Sequence, residues 1–107
     1  MSHTYSDGKG EWDVRRLWEL SSGLPVKELD PESFHEWNDW GWEHEINLGL
    51  IAEHMKRVLG ADLSYPVILS AEGYIMDGCH RITRAWLEGS LVKTVQFEVT
   101  PPPDKVL

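Results

Sequence analysis

Tyr74-Ile75-Met76-Asp77-Gly78-Cys79-His80-Arg81 is the stretch on which the fold turns. Its apolar start reads as a short strand, and beyond Gly78 the residues Ile82, Ala85 and Trp86 share one face of a helix that stops at Gly89. A strand that hands over to a helix through a glycine leaves unpaired main-chain N–H groups at the turn. A glycine, an imidazole and a guanidinium placed there have the chemistry of a phosphate cradle.

Working outward, Tyr65-Pro66-Val67-Ile68-Leu69 is an apolar run entered from a proline, and Ser70-Ala71-Glu72-Gly73 is a turn. Val67 to Leu69 and Tyr74 to Met76 are therefore expected to pair as a hairpin. Between Glu43 and Leu59 the residues Ile46, Leu50, Ile51, Met55, Val58 and Leu59 form one apolar stripe, which predicts a helix ended by Gly60. A second helix is expected from Trp12 to Leu20 on the spacing of Val14, Leu17 and Trp18, with Ser21-Ser22-Gly23 as its stop. Leu24 to Leu29 reads as an edge strand because Pro25 lacks a ladder donor, and Asp30-Pro31 reads as a helix cap followed by a first helical residue. Val95, Phe97 and Val99 alternate with polar residues, as in a strand with one buried face. Phe34 to Trp42 carries no regular period.

The chain has 107 residues, the size of one ordinary domain. Residues 1–10 are polar and glycine-containing and are expected to fray, 11–100 to form a single domain, and 101–107 to be an extended proline tail. Acidic residues number 18 against 10 basic ones, a formal net charge of −8, which disfavours non-specific nucleic-acid binding. The single cysteine, Cys79, excludes an intrachain disulfide and fits a reducing, cytoplasmic compartment. No stretch approaches membrane-spanning length and no secretory signal is recognisable, so a membrane partner is not expected.

Within the central turn, Gly78 admits a tight bend and close approach of a ligand. Arg81 is the telling residue: a cation in the first turn of a helix opposes the helix dipole, and a nearby anion would offset that cost. His80 can donate to the same anion. Cys79 beside His80 and Arg81 would have its thiolate favoured and become nucleophilic, although Asp77 pushes the other way; a small buried filler is the reading adopted. Three roles are open to Asp77, namely holding magnesium, acting as a base toward a hydroxyl, and capping the helix, of which capping is adopted. Arg84 shares the face of Arg81 and extends the cationic surface, while His54 and Arg57 share a face of the preceding helix. No His-Glu-x-x-His pattern occurs, so no metal site is expected. Trp37, Trp40 and Trp42 either cover the end of a small core, the reading adopted, or offer a protein-partner surface.

From Leu24 to Val99 the order of elements, and above all Gly73-Tyr74-Ile75-Met76-Asp77-Gly78-Cys79-His80-Arg81, resembles the ParB/sulfiredoxin superfamily. Asp-Gly-x-His-Arg looks most like its stand-alone ParB-like domains, whereas Gly78-Cys79-His80-Arg81 matches four of the five positions of the sulfiredoxin Gly-Gly-Cys-His-Arg. The resemblance implies a small α+β fold with a mixed sheet, in which this turn binds ATP, another nucleotide or a phosphate, with magnesium as a companion. It also implies that the helix carrying His54 and Arg57 borders the nucleotide pocket. The functional expectation is a nucleotide- or phosphate-binding domain, with phosphoryl transfer as the reaction class if it is an enzyme. The alternatives are an ATP-dependent thiol reductase of sulfiredoxin type using Cys79, and a non-enzymatic protein-interaction module.

Overall fold

The computed structural model describes residues 3–38 and 46–107. Among the described residues the regular elements follow in the order β1 (Thr4–Ser6), β2 (Gly10–Asp13), α1 (Val14–Ser21), β3 (Lys27–Leu29), α2 (Leu48–Leu59), β4 (Val67–Leu69), β5 (Ile75–Asp77), α3 (Cys79–Glu88), β6 (Val92–Gln96) and β7 (Lys105–Val106). Two short 3-10 turns, Pro31–Ser33 and His35–Trp37, stand before α2. The fold is α+β.

The central sheet has the order β3-β6-β4-β5. β4 runs parallel to β6 and antiparallel to β5, and β3 is an antiparallel edge, so the sheet is mixed. Both of its faces are covered. Val67 and Leu69 point to a cluster with Phe34, Ile82, Ala85 and Val92, whereas Ile68 points the other way, to Trp12, Leu17, Met76, Val95 and Phe97. A period of two with both faces buried gives an unbroken apolar strand, which is why Val67-Ile68-Leu69 shows no alternation.

Helix ends follow their capping chemistry. Asp13 accepts from the Arg15 N–H at the start of α1, and Asn47 accepts from the Leu50 N–H at the start of α2. Of the helix expected from Glu43, residues 43–45 lie outside the described residues, Ile46 and Asn47 precede the helix, and α2 starts at Leu48. Asp30 accepts from Glu32 N–H, as expected of a cap, but the turn it starts is a single 3-10 turn. The strand expected over Val95 to Val99 also starts earlier than the alternation suggested. It spans Val92–Gln96, Phe97 is buried just beyond it, and Val99 is 80% exposed.

The N-terminal residues expected to fray form β1, which pairs with β2, and β7 from the tail pairs with the other edge of β2. Trp12, placed at a helix start by the sequence reading, is instead a strand residue in the core. Its Nε1–H donates to Pro101 O at 2.8 Å, and the Asp104 carboxylate accepts from the Asp13 N–H and pairs with Arg16. The tail closes the domain by these contacts. Among the described residues no helix is long and apolar enough to cross a membrane.

Candidate functional site

The turn from β5 into α3 is set by Gly78, whose φ of +102° lies in the left-handed region. A Cβ there would stand 3.2 Å from Val67 Cα and 2.7 Å from Arg81 Nη1. No side chain caps α3. The expected capping role of Asp77 is therefore corrected. Its side chain is turned inward, where one carboxylate oxygen accepts from Trp18 Nε1–H at 2.9 Å and stands 3.5 Å from Arg81 Nη1.

Arg81 is drawn into the same internal pairing. Nη1 donates to Pro66 O at 3.2 Å, and the guanidinium lies 5.9 Å from the centre of the Tyr65 ring. The other expected cations are also engaged. Arg84 donates to Glu88 and to Leu59 O, and Arg57 pairs with Glu53 one turn earlier on α2. Arg57, exposed, still lies near enough to act on both Cys79 and His80.

His80 and His54 do come together. His80 Nε2 lies 3.0 Å from His54 Nδ1, and His80 Nδ1 lies 3.8 Å from Cys79 Sγ. Burial, then the nearby positive character of His54, Arg57 and Arg81, holds the His80 imidazole below its ordinary value of 6.5. Burial, then the Asp77 carboxylate, pushes the Cys79 thiol up, against the opposing pull of the Cys79 and His80 N–H groups. Burial and Asp77 thus outweigh the pull of the cationic neighbour Arg57, and the thiolate is disfavoured.

The depressed His80 pKa has a testable consequence for stability. Above pH 6.5 the imidazole is neutral in both the folded and unfolded chain, and its contribution is fully present; below that value the unfolded chain binds the proton first. Stability is then lost as pH falls through the folded-state pKa. Urea melts between pH 7.5 and 5 should show a steeper loss for the wild type than for His80→Gln, and parallel slopes would refute this assignment.

Beside this array a cleft of about 550 Å³ opens between α2 and α3. Phe34, Ile51, Met55, Val58 and Leu87 form apolar walls, and Cys79, His80 and His54 stand on its lining. Gly78, Asp77, Arg81, Arg84 and Arg57 do not line it. Two further residues of the lining are Trp37, read from the sequence only as core cover or a partner surface, and Glu36, which was not foreseen. Trp37 packs half-buried against Trp86, with ring centres 5.8 Å apart, and Glu36 has one carboxylate oxygen accepting from Ile75 N–H at 2.7 Å. Its other oxygen is buried without a hydrogen-bond partner. No spacing in the sequence signals Glu36, since its contact joins segments 39 residues apart. Trp40 and Trp42, the rest of the suggested partner surface, lie outside the described residues. Among the described residues no three His, Cys, Asp or Glu side chains gather to hold a metal ion.

No protein-family model matches the chain, and neither the curated proteins nor the solved structures contain a match to it.

Proposed function

We propose that this domain binds a small molecule with an apolar or aromatic body and an anionic end, of which a nucleotide is the representative, in the cleft between α2 and α3. The observation that carries the reading is continuity: the apolar cleft runs up to Cys79 and His80, the first residues of a helix that no side chain caps. A cleft of this volume suits a drug-sized or cofactor-sized ligand. The body lies between the helices, and the anion meets the first-turn N–H groups and the His80 ring, with Arg57 at the rim. The resemblance to ParB-like domains belongs to this proposal and supplies the nucleotide. Because both partners of Asp77 are internal, a magnesium ion would be held by the ligand's own phosphates, and phosphoryl transfer is the reaction to assay. A sulfiredoxin-type reductase is less well supported, because burial and Asp77 keep Cys79 a thiol.

A thermal-shift panel of nucleotides with and without magnesium tests the reading. At a concentration about a hundred times Kd, mass action adds about 2.7 kcal/mol, or about 10 °C for a domain of this size. Ile51→Glu, which puts a charge on an already half-open wall, should abolish the shift without unfolding the protein. A panel in which no nucleotide moves the midpoint overturns it.

One observation favours a second reading, a protein-interaction module. Of the α2 stripe only Val58 is buried, while Leu48 is 85% exposed and Met55 and Leu59 are more than half exposed. Trp86, Leu87 and Leu91 add apolar surface from α3 and the turn after it. Failure of every nucleotide together with concentration-dependent self-association in sedimentation would select this reading.

A further inference from the structure

Cys79, His80 and His54 form a chain of contacts of which the binding reading uses only the His80 ring. Sulfur lies within reach of one nitrogen of His80, and the other nitrogen of that ring lies 3.0 Å from His54. This is the arrangement of an activated nucleophile: a thiol, a base beside it, and a third group orienting the base. It lies on the lining of the apolar cleft between α2 and α3. With the His80 proton on Nε2, that nitrogen donates to His54 Nδ1 and Nδ1 is free to take the thiol proton. The Cys79 and His80 N–H groups face the sulfur and favour the thiolate once it forms.

We propose that Cys79 is a nucleophile that accepts an apolar acyl group from an activated acyl donor, such as a thioester, with His80 as general base and His54 as the residue that positions it. The thiol proton passes to His80 Nδ1 and the sulfur lone pair forms the new C–S bond to the acyl carbon. The bond from that carbon to the donor's leaving group breaks, the leaving group keeps the electron pair, and His80 returns the proton to it. The product is an S-acyl Cys79, with no change in oxidation state. The acyl chain lies along Ile51, Met55 and Val58. At rest His80 is neutral and Cys79 protonated, so the proton moves only as the sulfur attacks; the charges acting on the two are Asp77 from β5, Arg57 from α2 and Arg81 from α3, with His54 also acting on His80. The inference stands on the cleft and the three side chains and is independent of nucleotide binding.

The probes are p-nitrophenyl acetate and p-nitrophenyl octanoate, with N-acetylcysteine as the free-thiol reference. Release of nitrophenolate and the intact mass are followed together. The octanoyl ester should acylate Cys79, at one equivalent, about tenfold or more faster than the acetyl ester once each rate is divided by that of the free thiol. Cys79→Ala should carry no such adduct, and His80→Gln should slow its formation about a hundredfold. His54→Gln should slow the step less and move its pH midpoint, which a purely structural role would not do. A chain-length ratio equal to that of N-acetylcysteine overturns the proposal, as does an adduct on lysine or a rate unchanged in His80→Gln. The wild-type ratio decides by itself should a variant fail to fold.

Discussion

Gly78→Ala should destabilise the domain by about 2–4 kcal/mol and lower its melting temperature by about 10–15 °C, even though it adds a single methyl group. Two costs combine. At φ +102° an L side chain is strained against its own backbone, about 1–2 kcal/mol, and the new Cβ would lie 3.2 Å from Val67 Cα and from Val67 Cγ2. Val67 is fully buried in the central strand β4 and pairs with Thr94 of β6, so its main chain has nowhere to go. Arg81 Nη1, 2.7 Å away, would have to leave Asp77 and Pro66 O to make room. Gly89 is the internal control. It too has a positive φ, +68°, but a Cβ there meets nothing within 4 Å. Gly89→Ala should cost only the conformational term, about 1 kcal/mol, or about 4 °C. Equal losses for the two variants in urea or thermal melts would show that the β5–α3 turn is not packed as described.

The same turn shows how far the residues themselves can be read. Gly78, the strand before it and the helix after it were legible because each is local: a left-handed glycine, an apolar triplet, a 3.6-residue period ended at Gly89. The hairpin of β4 and β5 was legible for the same reason. The β1-β2-β7 sheet was not, since Thr4–Ser6 has only Tyr5 to turn to the core, and Gly10 and Glu11 pair with Val106 and Lys105, at the far end of the chain. The site divides similarly. Asp77 and Arg81 are four residues apart, so their pairing was within view; what spacing could not show is that Asp77 is turned under α1 to meet Trp18, which made a cap look available. His54 and His80, 26 residues apart, were placed near one site only through the resemblance, and their direct contact needed the packing of α2 on α3. The alternation of Val95 to Val99 holds for Val95 and Phe97, both buried, and misled only at its end, because β6 stops at Gln96 and leaves Val99 outside the sheet.

Arg81→Ala is expected to cost about 3 kcal/mol in the protein without any ligand, and this is what separates an internal strut from a free cationic cradle. The Asp77 side chain is only 8% exposed and that of Arg81 17%, so removing the guanidinium strands a nearly buried carboxylate whose one remaining donor is Trp18 Nε1–H. A solvent-facing pair would be worth a fraction of that. Asp77→Asn should cost less, about 1–2 kcal/mol, because the amide oxygen can still accept from Trp18 and the freed Arg81 keeps Pro66 O and a path to water. The double variant should be more stable than the sum of the two losses predicts, by about 1 kcal/mol or more, since the two side chains share one interaction. Urea denaturation of the four proteins closes this cycle. If Arg81→Ala instead stays within about 0.5 kcal/mol of the wild type while the nucleotide shift disappears, the guanidinium is a ligand-binding group and its internal contacts are incidental. The two outcomes assign the first turn of α3 to different tasks. In the one expected here, Arg81 and Asp77 hold the turn rigid, and binding is left to the main-chain N–H groups and His80.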